Sequence, residues 1–294
     1  MTAFAFNLVK LNNSYLTGIR QPDLQLREKQ MPSETDGSIW QTSAPVIRAA
    51  PMCKFGTVAV KALLVLLGTS RQPPHVALDG TNGVELIGAK INSAGPGYDA
   101  TSVHASRKGL RGLLMLSGLS WRPGDVAEAT AEVFFFSAAG GTDSLTASTV
   151  ATPTIPVNTE QLVLSSVSGI PSSRITAWDL VITHQVENND EAICYNAGLP
   201  YPVALKQPGV GGAVEWMLTV ETTDLTTAIT NGTVASVFGV LNHNGVGMSS
   251  GTATVTINSP QIREESITGK PASRKIMIRG TWDGTNFPGT IATA

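Results

Sequence analysis

The chain has 294 residues, which is enough for one large domain or two ordinary ones with a substantial core. Only 14% of the residues are charged, well below the roughly 25% of an ordinary soluble domain, and small and β-branched residues replace them. This composition favours a β-rich protein with large self-association surfaces. The net charge of −2 excludes a basic field that would capture nucleic acid, but it is compatible with DNA sliding past without binding.

Neither a leader nor a membrane segment is expected from the sequence. The first 13 residues lack a basic region followed by an uninterrupted apolar run, so we expect no signal peptide. The longest apolar run, residues 58–67, is too short to span a bilayer. We therefore expect no membrane insertion and a product that is assembled in the cytosol.

Strands are predicted for residues 3–11 and 16–26. The polar stretch 27–44 follows, and we expect an extended loop there, because it combines acidic side chains with proline and glycine. A loop of this length in a compact domain is usually functional. The residues of this loop that are candidates for a contact with another subunit are Glu28, Met31, Glu34, Asp36 and Trp40.

The best helix candidate is residues 57–68. Thr57 can cap its start and Gly68 can end it. Because the segment is apolar nearly all round, we expect it to be buried on several sides. A buried strand remains the alternative, and length favours the helix.

Further strands are predicted at 75–78 and 84–91, separated by a turn at 79–83, and at 110–119 and 129–136. Pro153 and Pro156 then mark a linker. We accordingly divide the chain into a first domain (1–152), a linker (153–160) and a second domain (161–294).

The second half repeats this order. A strand at 174–184 precedes a second acidic loop, 185–200, which contains Glu187, Asp190 and Glu191. A strand at 213–220, a short capped helix at 223–229 and further strands complete it. Each half therefore reads as strand, acidic loop, strands, one helix and strands.

A repeated segment ends each half. Residues 129–149 align without a gap to residues 272–292, at an offset of 143 (272 minus 129). Each copy has an apolar strand, a Gly-Thr-Asp or Gly-Thr-Asn turn and a Thr-rich return, which predicts a β-hairpin. Near the start of each half, Asp23 corresponds to Asp179 at an offset of 156 (179 minus 23). The pattern predicts a duplicated domain.

No catalytic grouping stands out. The four histidines lack metal-ligand spacing, and neither a nucleophile elbow nor a phosphate-binding loop occurs. Carboxylate pairs such as Glu264 and Glu265 are expected to be solvated charges, although a glycosidase pair stays open. Cys53 and Cys194 are predicted to be buried free thiols, and a disulfide between the halves also stays open. We expect no enzyme, no cofactor and no metal.

The order of elements resembles that of the tail tube proteins of long-tailed bacteriophages. The resemblance is carried by segment 16–40, by 54–68 (KFGTVAVKALLVLLG) and by 273–284 (SRKIMIRGTWDG). It implies a mainly β fold with a small α component, arranged as two tandem β-sandwich domains of tail-tube type, each with a short flanking helix.

In function, the resemblance implies a virion subunit, assembled in the host cytoplasm, whose rings stack around a lumen that conducts double-stranded DNA. With two copies per chain, three chains would complete a pseudo-hexameric ring. Other partners would be the tape measure, tail terminator and distal tail proteins. Inter-ring contacts are expected from both acidic loops, and the lumen-facing candidates are Glu28, Glu187, Glu215, Glu221, Glu264 and Glu265.

Two other readings stay open. One is another virion structural protein, such as a head decoration or capsid-type β-sandwich. The other is a carbohydrate-binding β-sandwich module or a glycan-active enzyme, for which the scattered tryptophans would supply the sugar platform.

Overall fold

The structure is a computed structural model, and it is mainly β. It describes residues 6–16, 18–30, 46–67, 75–90, 92, 97–99, 103–121, 128–151, 153, 160–167, 170–171, 175–182, 193–205, 214–221, 234–242, 248–268, 273–281, 285 and 288–293.

The first half contributes ten strands and one helix. They are β1 (Leu8–Leu11), β2 (Ser14–Tyr15), β3 (Arg20–Gln25), β4 (Lys29–Gln30), β5 (Val46–Arg48), β6 (Met52–Thr57), α1 (Val60–Leu67), β7 (His75–Gly88), β8 (His104–Trp121), β9 (Glu128–Phe135) and β10 (Thr146–Val150).

The second half contributes eleven described strands. They are β11 (Glu160–Val167), β12 (Ile170–Pro171), β13 (Ile175–Ile182), β14 (Ile193–Tyr195), β15 (Pro202–Leu205), β16 (Val214–Glu221), β17 (Val234–Asn242), β18 (Met248–Ile257), β19 (Gln261–Thr268), β20 (Ser273–Gly280) and β21 (Gly289–Thr293).

The helix α1 forms within the predicted segment. The Oγ1 atom of Thr57 accepts a hydrogen bond from the backbone N–H of Ala59 at 3.1 Å, so Thr57 supports the helix start as expected. Val60, Leu63 and Leu67 are fully buried. Leu64 is buried as well, Leu66 packs partly buried against the core cluster, and Ala62 is exposed, so most of the described side chains of the helix are covered. The second predicted helix, 223–229, lies outside the described residues.

One continuous row of antiparallel strands runs through both halves in the order β3-β6-β9-β8-β13-β16-β20-β19. We call it the inner row. Its apolar face, together with α1, forms a core cluster that contains Phe55 and Leu116 from the first half and Trp178 and Ile278 from the second. The two halves therefore share a sheet and a core.

The strand pairings of the first half recur in the second. Within the inner row, β3·β6, β6·β9 and β9·β8 correspond to β13·β16, β16·β20 and β20·β19. Outside it, β10·β8, β8·β7, β7·β1 and β1·β2 correspond to β21·β18, β18·β17, β17·β11 and β11·β12. The small hairpin β4·β5 corresponds to β14·β15. The topology thus carries an internal repeat.

The repeat extends to single residues. In β8, Ser117 is the extra residue of a β-bulge opposite β9, and Glu265 is the extra residue of the bulge between β19 and β20. This sets an offset of 148 (265 minus 117) for these strands. The partner residues Thr130 and Lys275 set an offset of 145 (275 minus 130). The pairings of β9 with β6 and of β6 with β3 can be compared with those of β20 with β16 and of β16 with β13. In this comparison Leu24 of β3 corresponds to Leu180 of β13, an offset of 156 (180 minus 24).

The closing segments are not hairpins, so that prediction was wrong. β9 and β10 do not pair with each other; both pair with one edge of β8, and the loop 136–145 carries the chain from one pairing to the next. In the second copy β20 pairs with β16 and β19, whereas β21 pairs with β18. In the first copy the turn residues lie between two strands that pair with the same edge of β8, so they interrupt the run of paired residues and do not reverse the chain.

The prediction that residues 79–83 form a turn between two strands was also wrong, because the chain does not reverse there. Both of its flanks belong to β7 and pair with β8, and the register shifts between Asp79 and Val84. Gly80 has a φ of 98°, a conformation that glycine adopts without strain. The five residues form an irregularity within one long strand.

Among the described strands, the two copies differ at β8. The single strand β8 corresponds to two strands, β18 and β19, separated by residues 258–260. Ser259 has a φ of 43°, and its carbonyl accepts a hydrogen bond from the Oγ1 of Thr281 at 2.8 Å. Pro260 follows. Apart from the small hairpins β4·β5 and β14·β15, the described strands of the second copy are therefore divided between two sheets, whereas those of the first copy lie in one.

Candidate assembly surfaces

The junction between the copies is a four-residue antiparallel ladder between β8 and β13. Trp178 lies opposite Trp121, Leu180 opposite Leu119, and Val181 opposite Gly118. Leu119, Trp178 and Leu180 are each no more than 2% exposed and belong to the main core cluster. Backbone hydrogen bonds and apolar burial therefore join the copies at the same place.

A second contact reinforces this junction. The hairpin of β14 and β15, with its connection 196–201, packs against the first copy, and we call it the second-copy arm. The backbone N–H of Ala49 donates to the carbonyl of Pro200 at 2.8 Å, and that of Ser137 donates to Pro202 at 2.7 Å. The N–H of Tyr201 donates to Gly140 at 3.1 Å. The arm thus extends the junction beyond the sheet.

Side chains of the arm also contact the first copy. The hydroxyl of Tyr195 donates to the carbonyl of Ala49 at 3.2 Å, and the Nδ2 of Asn196 donates to the carbonyl of Ala139 at 2.8 Å. The guanidinium of Arg48 lies 4.4 Å from the centre of the Tyr195 ring, within the range of a cation–π interaction. The arm is the end of the second acidic loop, and in this structure it contacts the other copy laterally.

The face of the inner row that points away from the core carries most of its charges, and we call it the polar face. Its described charged side chains are six basic ones, Arg20, Lys54, Arg111, Arg263, Lys275 and Arg279, and five acidic ones, Asp23, Glu128, Glu132, Asp179 and Glu215. Both signs are present in nearly equal number, and the same face also carries the buried apolar side chains Met52, Leu113, Met115 and Phe134.

Ion pairs cross the strands of the polar face. The Nη1 atom of Arg20 lies 3.2 Å from the Oε2 atom of Glu128, and the Nζ atom of Lys54 lies 2.9 Å from the Oε1 atom of Glu132. The Glu132 side chain is only 3% exposed, so Lys54 compensates a carboxylate that has lost most of its water. Arg279 meets Glu215 at 3.6 Å in the second copy. Three of the basic side chains on this face are therefore paired with a neighbouring carboxylate.

Of the lumen candidates, Glu215 lies on the polar face and Glu28 is exposed just beyond β3. Glu221 is the last residue of β16. Glu264 occupies the register position opposite the buried Ile276, and Glu265 is the bulge residue. Glu187 lies outside the described residues.

Most of the loop candidates also lie outside the described residues: Met31, Glu34, Asp36, Trp40, Glu187, Asp190 and Glu191. The sequence interpretation missed four carboxylates of the polar face, namely Asp23, Glu128, Glu132 and Asp179. Strict alternation along the predicted strand 129–136 would have found Glu132, because Ala131 and Val133 mark the core side, whereas Glu128 lies one residue before that strand.

Both cysteines are free, so no disulfide joins the halves. Cys53 is fully buried, as predicted, whereas Cys194 is only half-buried. Burial, with a smaller contribution from the charge of Asp23, raises the pKa of the Cys53 thiol from 9.0 to about 12. The Cys53 thiol is therefore protonated at neutral pH.

Thiol labelling checks this assignment. At pH 8 we expect an alkylating reagent to modify Cys194 in the native protein and to reach Cys53 only after unfolding. Because the folded-state pKa of Cys53 is raised, its contribution to stability is complete below about pH 9 and declines as the pH rises towards 12. A Cys53→Ala variant should lose this part of the alkaline decline. Equal labelling of both thiols in the native protein would contradict the buried assignment.

Among the described residues, no cluster of three histidine, cysteine or carboxylate side chains could hold a metal ion. No helix in that part of the chain is long and apolar enough to cross a membrane. No protein-family model matches the chain, and no curated protein matches it significantly in sequence.

Proposed function

We propose that this protein is a structural subunit of a bacteriophage tail tube, in which three chains form a pseudo-hexameric ring and the rings stack around a lumen that conducts DNA. The proposal extends to the fold: each half is one tube-type β-sandwich domain. No enzymatic activity is part of the proposal.

The observation that carries it is the internal repeat together with its head-to-tail junction. Four strands of the first copy and the four equivalent strands of the second follow one another in a single row. A row built from identical steps can continue with further copies. If the steps together complete one full turn without a rise along the axis, the row closes into a ring and leaves no exposed sheet edge.

The polar face fits the wall of such a lumen. The apolar face of the row is covered by the core and α1, so the polar face is the side that a closed row would turn inwards. It carries side chains of both signs, and ion pairs such as Arg20–Glu128 and Lys54–Glu132 link some of them. Pairing of this kind reduces the number of cations that are free to hold phosphates.

The remaining parts of the proposal rest on the resemblance in element order. The two acidic loops would contact the neighbouring ring, and the ends of the tube would meet the tape measure, terminator and distal tail proteins. The protein would be assembled in the host cytoplasm and would act in the virion.

Electron microscopy of the purified protein tests the function. We expect hollow tubes or rings whose projections show six-fold features built from three chains, as counted by native mass spectrometry. A protein that stays monomeric at high concentration and binds glycans on an array would overturn the proposal in favour of a carbohydrate-binding module. Trimers that decorate capsids but never stack would favour a head protein.

A further inference from the structure

Two strands of the inner row have an open edge in the described part of the chain. β3 pairs with β6 on one side, and β19 pairs with β20 on one side; neither has a described partner on the other. These strands are the first and last of the row. Their equivalents in the internal repeat, β13 and β8, are the two strands that join the copies within the chain.

The junction inside the chain therefore acts as a template for a junction between chains. The offset of 156 carries Val181, Leu180 and Asp179 of β13 onto Gln25, Leu24 and Asp23 of β3. The offset of 148 carries Gly118, Leu119 and Ser120 of β8 onto Ser266, Ile267 and Thr268 of β19. The two offsets come from pairings that do not involve the junction itself.

We propose that β19 of one chain pairs antiparallel with β3 of the next chain, with Ser266 opposite Gln25, Ile267 opposite Leu24, and Thr268 opposite Asp23. The inference rests on the proposed function, and it specifies the strands, the direction and the register of the seam. Because the contact is head-to-tail, it generates a ring where the rotation closes.

Leu24 supports this register. It is only partly buried and packs against the main core cluster, whereas its equivalent Leu180 is 1% exposed inside the completed junction. A neighbouring strand at the open edge would cover the rest of Leu24, as β8 covers Leu180. Apolar burial would then accompany backbone pairing at the seam, as it does within the chain.

The residues that flank the three pairs restrict the length of the paired segment between the chains. Pro22 occupies the position equivalent to Trp178, and proline has no N–H to donate to a ladder. On the other strand, Arg263, Glu264 and Glu265 precede Ser266, and charged residues at an edge discourage uncontrolled pairing. The three intervening pairs are the ones that remain suited to a partner.

Engineered disulfides test the register. In a Cys194→Ser background, Gln25→Cys and Ser266→Cys would lie directly opposite each other across the seam, with Cα atoms about 4.5–5.5 Å apart, which a disulfide can bridge. Oxidation of assembled protein should yield a ladder of one, two and three covalently joined chains on a denaturing gel. Gln25→Cys with Thr268→Cys is the register control, because a shift by two residues separates the Cα atoms by about 7–8 Å.

The pair Val181→Cys and Gly118→Cys is the positive control. It occupies the equivalent positions of the junction between β8 and β13. It should cross-link within one chain, so it should not produce covalently joined chains on the gel. Rings or tubes that form without a cross-link between positions 25 and 266, while this control cross-links, would overturn the seam and leave the function standing. Monomers in every assay would overturn both. A ladder that continues past three chains would support the pairing and refute three-chain closure.

Discussion

The Trp178→Ala variant is expected to lose about 4 kcal/mol of the free energy of unfolding. Trp178 is 1% exposed and is among the largest fully buried side chains in the described structure. It lies in β13 at the junction of the two copies, opposite Trp121, so its removal leaves a cavity where the second copy meets the first. Chemical denaturation followed by circular dichroism measures the loss.

Val181→Ala is the matched control. Val181 lies on the same strand, pairs with the same partner strand and is 48% exposed, so its truncation should change the free energy of unfolding by no more than about 0.5 kcal/mol. If both variants unfold at the same denaturant concentration as the unmodified chain, the apolar contact at the junction does not stabilise the fold.

The Gly112→Ala variant is expected to lose about 3 kcal/mol, since a side chain forced into a filled space displaces its surroundings. A Cβ atom on Gly112 would come within 2.1 Å of the carbonyl oxygen of Phe134. That atom belongs to the backbone of β9, which is paired with β6 on one side and β8 on the other, so it cannot move aside without breaking a ladder. Thermal and chemical unfolding measure the effect.

Gly118→Ala controls for the intrinsic effect of replacing glycine in the same strand. The nearest atom to a Cβ at Gly118 is the carbonyl oxygen of Leu180 at 3.5 Å, an ordinary contact distance. We expect this variant to unfold like the unmodified chain within about 0.5 kcal/mol. A Gly112→Ala variant as stable as Gly118→Ala would show that β9 does not approach β8 as closely as the structure describes.

Local patterns in the sequence located many of the elements. Thr57 and the apolar run after it placed α1, since capping and helix propensity depend on neighbouring residues. The offset of 156 between Asp23 and Asp179 agrees with the structural register. The offset of 143 also relates β10 (Thr146–Val150) to β21 (Gly289–Thr293) residue by residue.

For β9 and β20, however, the structural offset is 145, two residues more than the alignment indicated. A slip of two preserves the alternation of the two faces of a strand, so the hydrophobic pattern could not reveal it. The residues of the polar face show the same limit: alternation along the predicted strand could identify Glu132, but its partner Lys54 comes from a distant strand.

The sequence by itself determined the β-rich class, the repeated order of elements and the position of the first helix, because each depends on composition or on residues close in the chain. Only the tertiary structure decided which strands pair. The Gly-Thr-Asp segment at 141–143 is compatible with a reversal or with an interruption, and the presence of β8 beside both flanks selected the interruption. The junction of β8 with β13 likewise joins residues nearly 60 positions apart, and no local preference encodes such a partner.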